Sequence, residues 1–363
     1  MKIVLLGAGH IGQTITRLLT ESGDYQLTVV DQIAAPLEKL KPFGVKTAVV
    51  DTEDDAALKA VLARHDAVIN ALPYHMAIKV AQAAKATGVH YFDLTEDVAA
   101  TKAIMAMAKD AKTAFMPQCG LAPGFIGIAA HSLAQAFDTI DEIKMRVGAL
   151  PAFPTNSLKY NLTWSVDGLI NEYCHPCEAI HEGRLTELQA LEGMEHFSLD
   201  GVEYEAFNTS GGLGTLCDTL SGRVRNLDYK SVRYPGHNAL MKVLLQELRL
   251  SEDQETLKNI MRKSVPTTMQ DVVLVFITVS GEKNGAYVQE VFARKIFAER
   301  GAKPLSAIQI TTAAGICCAV DLFREGKLPK TGFIRQEQIQ LADFLANRFG
   351  RAYEESGRVE SIS

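Results

Sequence analysis

The first dozen residues contain the feature that most constrains the fold, a glycine-rich turn between an apolar run and a helical stretch. Residues 2–6 read as a β-strand, and Gly7-Ala8-Gly9-His10-Ile11-Gly12 follows directly. Such a turn lets the backbone approach a pyrophosphate, and the following helix N-terminus offers N–H groups and partial positive charge. The predicted second strand ends in Asp31, at the spacing expected for a carboxylate that binds ribose hydroxyls. This context predicts a dinucleotide-binding domain.

Asp31 also bears on which dinucleotide binds. Gln32 and Ile33 follow it, so no arginine comes directly after the acid to pair with a 2′-phosphate. A phosphate beside this carboxylate would place like charges together, which is strongly unfavourable. The sequence therefore predicts NAD as the cofactor. The residues predicted to bind it lie in the turn or after the strands, namely Gly7, Gly9, His10, Ile11, Gly12, Asp31, Gln32, Asp51, Asn70, Ala71, Leu72, Pro73, Leu94 and Gly120; for Asp51 a solvated turn is an equally good interpretation.

The chain has two regions with different patterns of predicted strands and helices. β-Branched runs alternate with helical stretches as far as residue 116, which is typical of a parallel, doubly wound sheet. Further on, strand signals mix with helices and glycine-rich loops. We therefore predict an α/β fold with a Rossmann-type sheet at the N-terminus, a second α+β domain, and C-terminal helices that return to the first domain. The predicted bounds are 1–125 for the dinucleotide-binding domain, 126–300 for the α+β substrate and dimerisation domain, and 301–350 for the C-terminal helices.

Some elements of the second half are predicted individually. Residues 159–164 read as a strand and residues 288–298 as a helix. The apolar stretches at 125–136 and 311–323 are interrupted by His131 and Asp321, and both fall short of the ~20 residues that span a membrane.

Composition limits the classes of partner. The 363 residues include 37 basic and 43 acidic side chains, for a net charge of −6. This balance gives no general attraction to nucleic acid or to anionic lipid. Six scattered cysteines are too few for a disulfide scaffold. We expect a cytoplasmic protein that binds a small molecule and has no nucleic-acid or membrane partner.

Acidic residues follow the predicted fifth strand, at the edge where such sheets bind their ligands. Asp93 and Glu96 are candidates for binding a substrate ammonium or for moving its proton. Alternatively, Thr95 caps the next helix, and Glu96 and Asp97 favour its N-terminus electrostatically.

Cysteine and histidine are also close together at Cys174-His175-Pro176-Cys177. A structural zinc site needs four ligands, usually with a second pair at matching spacing. Because no such pair stands near, we predict no metal site.

Several motifs together resemble those of the saccharopine dehydrogenase-like enzymes, and within them the lysine 6-dehydrogenases. The motifs span most of the chain and are Gly7–Gly12, Asn70–Tyr74, Gly120–Phe125, Gly148–Pro151, Trp164-Ser165, Asp167–Tyr173, Thr209–Leu216 and Tyr229–His237. The chain departs from the saccharopine-forming members after Trp164-Ser165, where it has Val166-Asp167 instead of an arginine that binds a substrate carboxylate.

The resemblance implies an NAD-dependent homodimer that oxidises the terminal amine of L-lysine to a semialdehyde, which cyclises. An ammonium group must first lose a proton, so a base is needed. The catalytic candidates are Asp93, Asp167, Glu172 and His237 as bases, Arg233 for the α-carboxylate, and Thr215 and Tyr173 as hydrogen-bonding groups. Structural roles compete for three of them: a solvated helix face for Glu172, an ion pair for Arg233 and a helix start for His237. Two other functions stay open, an imine-reducing dehydrogenase and a non-catalytic NAD sensor.

Overall fold

The computed structural model describes residues 1–300 and 304–354, which fall into two compact units. The first unit contains residues 1–128 and 309–352, and the second contains residues 129–308 together with 353–354. Residues 301–303, at the start of the predicted C-terminal segment, lie outside the described residues.

The first unit is built on a seven-stranded parallel sheet. Its strands are Lys2–Leu6 (β1), Gln26–Asp31 (β2), Lys46–Val49 (β3), Ala67–Asn70 (β4), His90–Asp93 (β5), Ala114–Met116 (β6) and Gly332–Phe333 (β15). They lie in the order β15-β6-β5-β4-β1-β2-β3. All residues of β4 and all but the first of β1 are buried, which explains why these strands read as continuous apolar runs.

Helices alternate with these strands along the chain. They are His10–Ser22 (α1), Ala34–Glu38 (α2), Asp55–Leu62 (α3), Ala77–Thr87 (α4), Val98–Ala108 (α5), Phe125–Ala134 (α6), Ala307–Arg324 (α11) and Leu341–Ala346 (α12). The boundaries between the units, at residues 128 and 309, fall within α6 and α11. The fold prediction is confirmed, including the return of the C-terminal segment to the first unit.

The second unit contains a mixed eight-stranded sheet. Its strands are Thr139–Pro151 (β7), Cys177–His181 (β8), Arg184–Leu188 (β9), Glu195–Leu199 (β10), Val202–Asn208 (β11), Val224–Arg233 (β12), Asp271–Lys283 (β13) and Ala286–Phe297 (β14). The order is β10-β11-β12-β7-β13-β14, and β8 joins β9 to β12. Helices Val166–Cys174 (α7), Leu216–Thr219 (α8), His237–Lys242 (α9) and Gln254–Ser264 (α10) complete the unit.

The helix predicted over residues 288–298 is wrong, because these residues belong to β14. Val288, Val291 and Phe292 have helical spacing, but all twelve residues of the strand pair with β13. The missed signal is Asn284-Gly285, whose two positive φ angles form the tight turn of a hairpin.

The strand predicted over residues 159–164 is also wrong. Only Leu162 forms a bridge, with Thr267. The Asn156 side chain donates to the Tyr160 carbonyl oxygen at 2.7 Å and accepts from the Tyr160 N–H at 3.4 Å. This local bonding competes with a strand ladder for the same backbone groups.

One described helix, α11, is long and apolar enough by itself to span a membrane. In the folded chain 83% of its apolar window is buried, which is the behaviour of an internal helix of a folded domain.

Candidate functional site

The glycine-rich turn joins β1 to α1, and close packing requires two of its glycines. Gly7 has a φ of +100°, and a Cβ atom there would lie 2.8 Å from the Ala71 carbonyl oxygen. A Cβ atom at Gly12 would lie 2.0 Å from the Gly7 carbonyl oxygen. A side chain at Gly7 would therefore collide with the segment after β4, and one at Gly12 would force the helix away from the turn.

Gly9 differs, because a Cβ atom there would meet no atom of the described residues within 4 Å. No side chain caps α1, and its first turn, which includes His10 and Ile11, contains no acidic residue. Space at Gly9 together with an uncapped helix N-terminus suits a bound pyrophosphate. The residues present thus fit the phosphates of a dinucleotide.

The Asp31 carboxylate closes this turn from the end of β2. It accepts hydrogen bonds from the Ala8 N–H at 2.8 Å and from the Ile33 N–H at 2.9 Å. Gln32 and Ile33 are exposed, and Asp31 has no ion-pair partner between residues 1–300 and 304–354. The carboxylate charge is therefore uncompensated where the adenosine ribose would lie.

The other predicted cofactor residues follow β3 and β4. Asp51 is exposed, and its carboxylate accepts from the Glu53 N–H at 2.9 Å, which is the contact expected for a turn residue. Asn70 is buried at the end of β4 beside Leu6 of β1, and its side chain accepts from the Leu72 N–H at 3.2 Å. Ala71 and Pro73 continue this segment along the carboxyl edge of the sheet.

Asp93, at the end of β5, is almost fully buried and is saturated with hydrogen bonds. Its carboxylate accepts from the Tyr91 hydroxyl at 2.5 Å, the Thr95 N–H at 3.0 Å and the Gln118 N–H at 2.9 Å. Burial raises the pKa of Asp93 to about 6. With these partners Asp93 joins the loops after β5 and β6, which is a positioning role. Its contact with a substrate stays a prediction.

The same two loops bring other predicted residues together. A Cβ atom at Gly120 would lie 3.7 Å from the Leu94 side chain, so these two predicted cofactor residues are neighbours. Helix α5 is capped by Asp97, which accepts from the Ala100 N–H at 2.7 Å. Thr95 is not the cap that the sequence suggested; its hydroxyl accepts from the Asp97 N–H.

In the second unit, a chain of hydrogen bonds joins three predicted catalytic residues. Arg233 ends β12 and donates from Nε to the Tyr173 hydroxyl at 2.9 Å. That hydroxyl lies 3.1 Å from His237 Nε2, and His237 Nδ1 lies 2.9 Å from the Leu158 carbonyl oxygen. Because a carbonyl can only accept, Nδ1 carries the proton and Nε2 accepts from Tyr173.

The imidazole of His237 is held in its neutral form. Burial, together with the charge of Arg233, lowers the pKa of His237 to about 3, whereas burial raises the pKa of Tyr173. His237 is also the first residue of α9, as the competing interpretation expected. Both of its nitrogens are engaged, so His237 orients Tyr173 and through it Arg233.

Arg233 is a buried cation that forms no ion pair within 4.0 Å with a carboxylate of the described residues. Its Nη1 donates to the Val232 carbonyl oxygen at 2.8 Å, and its guanidinium carbon lies 5.3 Å from the Tyr160 ring centroid. In the described part of the chain no carboxylate oxygen lies within 4.0 Å of it. Burial lowers the pKa of Arg233, but Tyr173, Tyr160 and Glu172 together raise it above its usual value. The site therefore holds a positive charge that an anionic ligand group can pair with.

Glu172 and Thr215 are likewise buried in this unit. Glu172 is 8% exposed, so the interpretation as a solvated helix residue is wrong. Its main chain accepts from the Ser210 N–H at 3.0 Å, and its carboxylate acts on the pKa of Arg233 and Tyr229. Thr215 precedes α8 and is 5% exposed.

Asp167 is placed apart from these contacts. It lies in the first turn of α7 and accepts from Arg262 of α10 at 2.7 Å, with Lys258 at 3.4 Å. Burial raises its pKa, but these two cations together lower it below the usual value. The carboxylate predicted to face the substrate amine thus forms a partly exposed ion pair between two helices.

The cysteine pair shows no reactive character. Burial raises the pKa of Cys174 to about 11 and that of Cys177 to about 12, so both stay protonated near neutral pH. Within residues 1–300 and 304–354 no group of three or more potential ligand side chains is placed to hold a metal ion.

Two family models match this chain, one after the other along the sequence. The family model for the saccharopine dehydrogenase NADP binding domain matches residues 3–116, and that for the saccharopine dehydrogenase C-terminal domain matches residues 120–351. Saccharopine dehydrogenase [NADP(+), L-glutamate-forming] of Pyricularia oryzae is 26% identical over 70% of this chain and 59% of its own length. The enzyme of the same name from Saccharomyces cerevisiae is 29% identical over 46% of this chain and 39% of its own length.

The fold comparison extends further than the sequence alignments. The apo structure of saccharopine dehydrogenase (L-Glu forming) from Saccharomyces cerevisiae superposes with a TM-score of 0.79 and 17% identity, over 94% of this chain and 96% of that one. The alignments with the two curated relatives span less than two thirds of those proteins. Because the two family models together match nearly the whole chain, the protein belongs to the saccharopine dehydrogenase family.

Proposed function

We propose that this chain is an NAD-dependent dehydrogenase that oxidises the terminal amine of L-lysine to a semialdehyde and releases ammonia. Family membership supports an oxidoreductase that acts on amino acids. The single observation that carries the proposal is Arg233, a buried cation that forms no ion pair within 4.0 Å among the described residues, although the Glu172 carboxylate acts on its pKa. An unpaired buried charge is costly, so a ligand carboxylate is favoured there.

Arg233 makes an amino acid a better substrate than a simple diamine. Arginine binds carboxylates through its planar set of N–H donors. Tyr173 orients the guanidinium, and the buried Thr215 adds a hydroxyl to the same unit. The buried Glu172 carboxylate, which also acts on the pKa of Arg233, adds a negative charge to the same unit. This combination suits a molecule that carries both charges, as lysine does.

The cofactor preference is supported by the end of β2. Asp31 has no cationic partner in the described chain, and the exposed residues after it are Gln32 and Ile33. Ribose hydroxyls can donate to this carboxylate, whereas a 2′-phosphate would be repelled. We therefore propose NAD, although the matching family model is described as NADP binding.

The chemistry places defined demands on the protein. The ammonium group first gives a proton to a base, which leaves a lone pair on nitrogen. A hydride then leaves the adjacent carbon with its electron pair, and NAD, when bound, supplies the acceptor. Water adds to the resulting iminium, and ammonia is released as the semialdehyde forms.

The direct test is NADH formation, followed by absorbance with purified protein, NAD and a panel of amino acids and diamines. The assay is best run at about pH 9–10, near the reference pKa of the substrate amine. NADH formation with lysine but not with diamines is the expected result. If no compound of the panel gives NADH while the protein still binds NAD, the proposal is contradicted.

A second candidate is an enzyme that reduces an imine formed from an aldehyde and an amine. The similarity to saccharopine dehydrogenases favours it. It predicts oxidation of NADH or NADPH only when both the aldehyde and the amino acid are present. A non-catalytic NAD sensor would bind NAD and show neither reaction.

A further inference from the structure

The loop after β5 contains three acidic side chains, and structural contacts account for two of them. Asp93 accepts three hydrogen bonds and joins two loops, and Asp97 caps α5. Glu96 lies between them and is half-buried. Apart from a hydrogen bond to its own main chain, its carboxylate has no hydrogen-bond or ion-pair partner among the residues that the structure describes. Its carboxyl group is therefore the uncommitted acid of this loop.

Glu96 lies in a loop at the carboxyl edge of the parallel sheet. It lies three residues beyond the end of β5, which pairs with β4. In open α/β sheets, ligands bind outside the carboxyl ends of the strands. The loop after the adjacent strand β4 holds the predicted cofactor residues Asn70 to Pro73, and the loop after β1, the next strand in the sheet, holds Gly7 to Gly12.

The surroundings of Glu96 also adjust its protonation. Burial raises the pKa of Glu96 to about 7, and repulsion from Asp97 and Asp93 adds to this rise. A general base is most effective when its pKa lies near the working pH. Near neutrality Glu96 is thus able both to take up a proton and to release it.

We propose that Glu96 is the general base that removes a proton from the substrate ammonium, an inference that rests on the proposed amine oxidation. The carboxylate takes one proton, and the electrons of the broken N–H bond stay on nitrogen as a lone pair. Glu96 becomes a neutral carboxylic acid. The lone pair then assists the departure of hydride to the oxidised pyridine nucleotide, and Glu96 returns its proton to solvent.

The test compares three variants under conditions in which the wild type oxidises lysine. Glu96→Gln keeps size and polarity but cannot accept the proton, so kcat/KM should fall by about 100-fold or more. Its pH profile should also lose the rise near pH 7. Glu96→Asp should recover part of the rate. Asp97→Asn is the matched control, because asparagine caps helices as well as aspartate does. Its rate well above pH 7 should match the wild type, and loss of the Asp97 charge should only move the rise near pH 7 to lower pH.

Binding and activity together separate the outcomes. NAD affinity, measured by fluorescence titration, should be unchanged in Glu96→Gln, which shows that the nucleotide site is intact. A Glu96→Gln enzyme with wild-type kcat/KM and the same rise near pH 7 would overturn the role of Glu96 and leave the proposed function standing. A wild type that binds NAD but oxidises no amine would overturn the proposed function and the role of Glu96 with it.

Discussion

At the scale of single residues, burial decides what each polar group can do. Arg233 and His237 are both buried, yet one is a permanent cation and the other is held neutral. The imidazole donates to a main-chain carbonyl and accepts from Tyr173, so it orients the arginine without adding charge. A single chain of hydrogen bonds thus positions one buried positive charge.

Replacing Arg233 tests whether that charge binds a substrate carboxylate. In Arg233→Gln, KM for lysine should rise by at least ~10-fold, since hydrogen bonds to charged groups contribute about 1.5–3 kcal/mol. Steady-state kinetics with lysine gives the measurement, and the KM for NAD is the control, which should be little affected. An unchanged KM for lysine would give Arg233 a purely structural role.

His237 predicts a pH dependence of stability. Its pKa is about 3 in the folded chain and about 6.5 when exposed. Because the unfolded chain binds the proton more tightly, His237 contributes stability that is complete above about pH 6.5 and is lost as the pH falls toward 3. Relative to His237→Gln, the wild type should lose about 2 kcal/mol of unfolding free energy between about pH 6.5 and pH 5, measured with urea. Equal losses in both proteins would contradict the buried neutral imidazole.

At the scale of elements, the loops after parallel strands are held together by side chains that accept several hydrogen bonds. Asp93 links the end of β5 to the loop after β6, where Gln118 has a positive φ of 67°. The Cys119 N–H also donates to the Asp93 carbonyl oxygen. These contacts fix the backbone around Leu94 and Gly120 at the carboxyl edge of the sheet.

Asp93→Ala should therefore loosen two loops at once. It leaves the Thr95 and Gln118 N–H groups without their acceptor, and each unsatisfied buried group costs about 1–3 kcal/mol, whereas the Tyr91 hydroxyl keeps the Ala77 carbonyl oxygen at 3.2 Å. We expect the unfolding free energy to fall by at least about 2 kcal/mol in urea. The surface ion pair of Asp167 is the comparison, because Asp167→Ala should cost no more than about 1 kcal/mol. Similar small losses in both variants would contradict the positioning role of Asp93.

At the scale of the whole molecule, two units of different sheet topology are joined through α6 and α11. In the first unit, strand β15 from the C-terminal part of the chain pairs with β6. The family comparison covers both units, and the fold similarity extends over 94% of the chain.

Cofactor preference is measurable as stabilisation of the first unit. At about 100 times its dissociation constant, NAD should add about 2.7 kcal/mol to the unfolding transition that includes this unit. NADP at the same concentration should add much less, because of Asp31. Calorimetry with each nucleotide gives the comparison. Greater stabilisation by NADP would reverse the proposed preference and agree with the description of the matching family model.

Local patterns were sufficient for the fold of the first unit and for the glycine-rich turn. Strand, turn, helix and Asp31 are close in sequence, and the requirement at Gly12 arises within the turn itself, whereas the close contact at Gly7 is with the distant Ala71. The hairpin of β13 and β14 is also predictable from the sequence, because Asn284-Gly285 is a turn signal. The apolar spacing of β14 also fits a helix, which is why the spacing alone leads to the wrong prediction.

Only the tertiary structure decided the roles of the polar side chains. Asp93, Glu96 and Asp97 are three acids in one short segment, and the sequence cannot tell which is saturated, which caps a helix and which is uncommitted. The pairing of Asp167 with Arg262 depends on residues far away along the chain, and so does the lack of an ion pair at Arg233 among the described residues. Hydrogen bonding and burial are set by such distant neighbours, so these roles emerge only when the chain is folded.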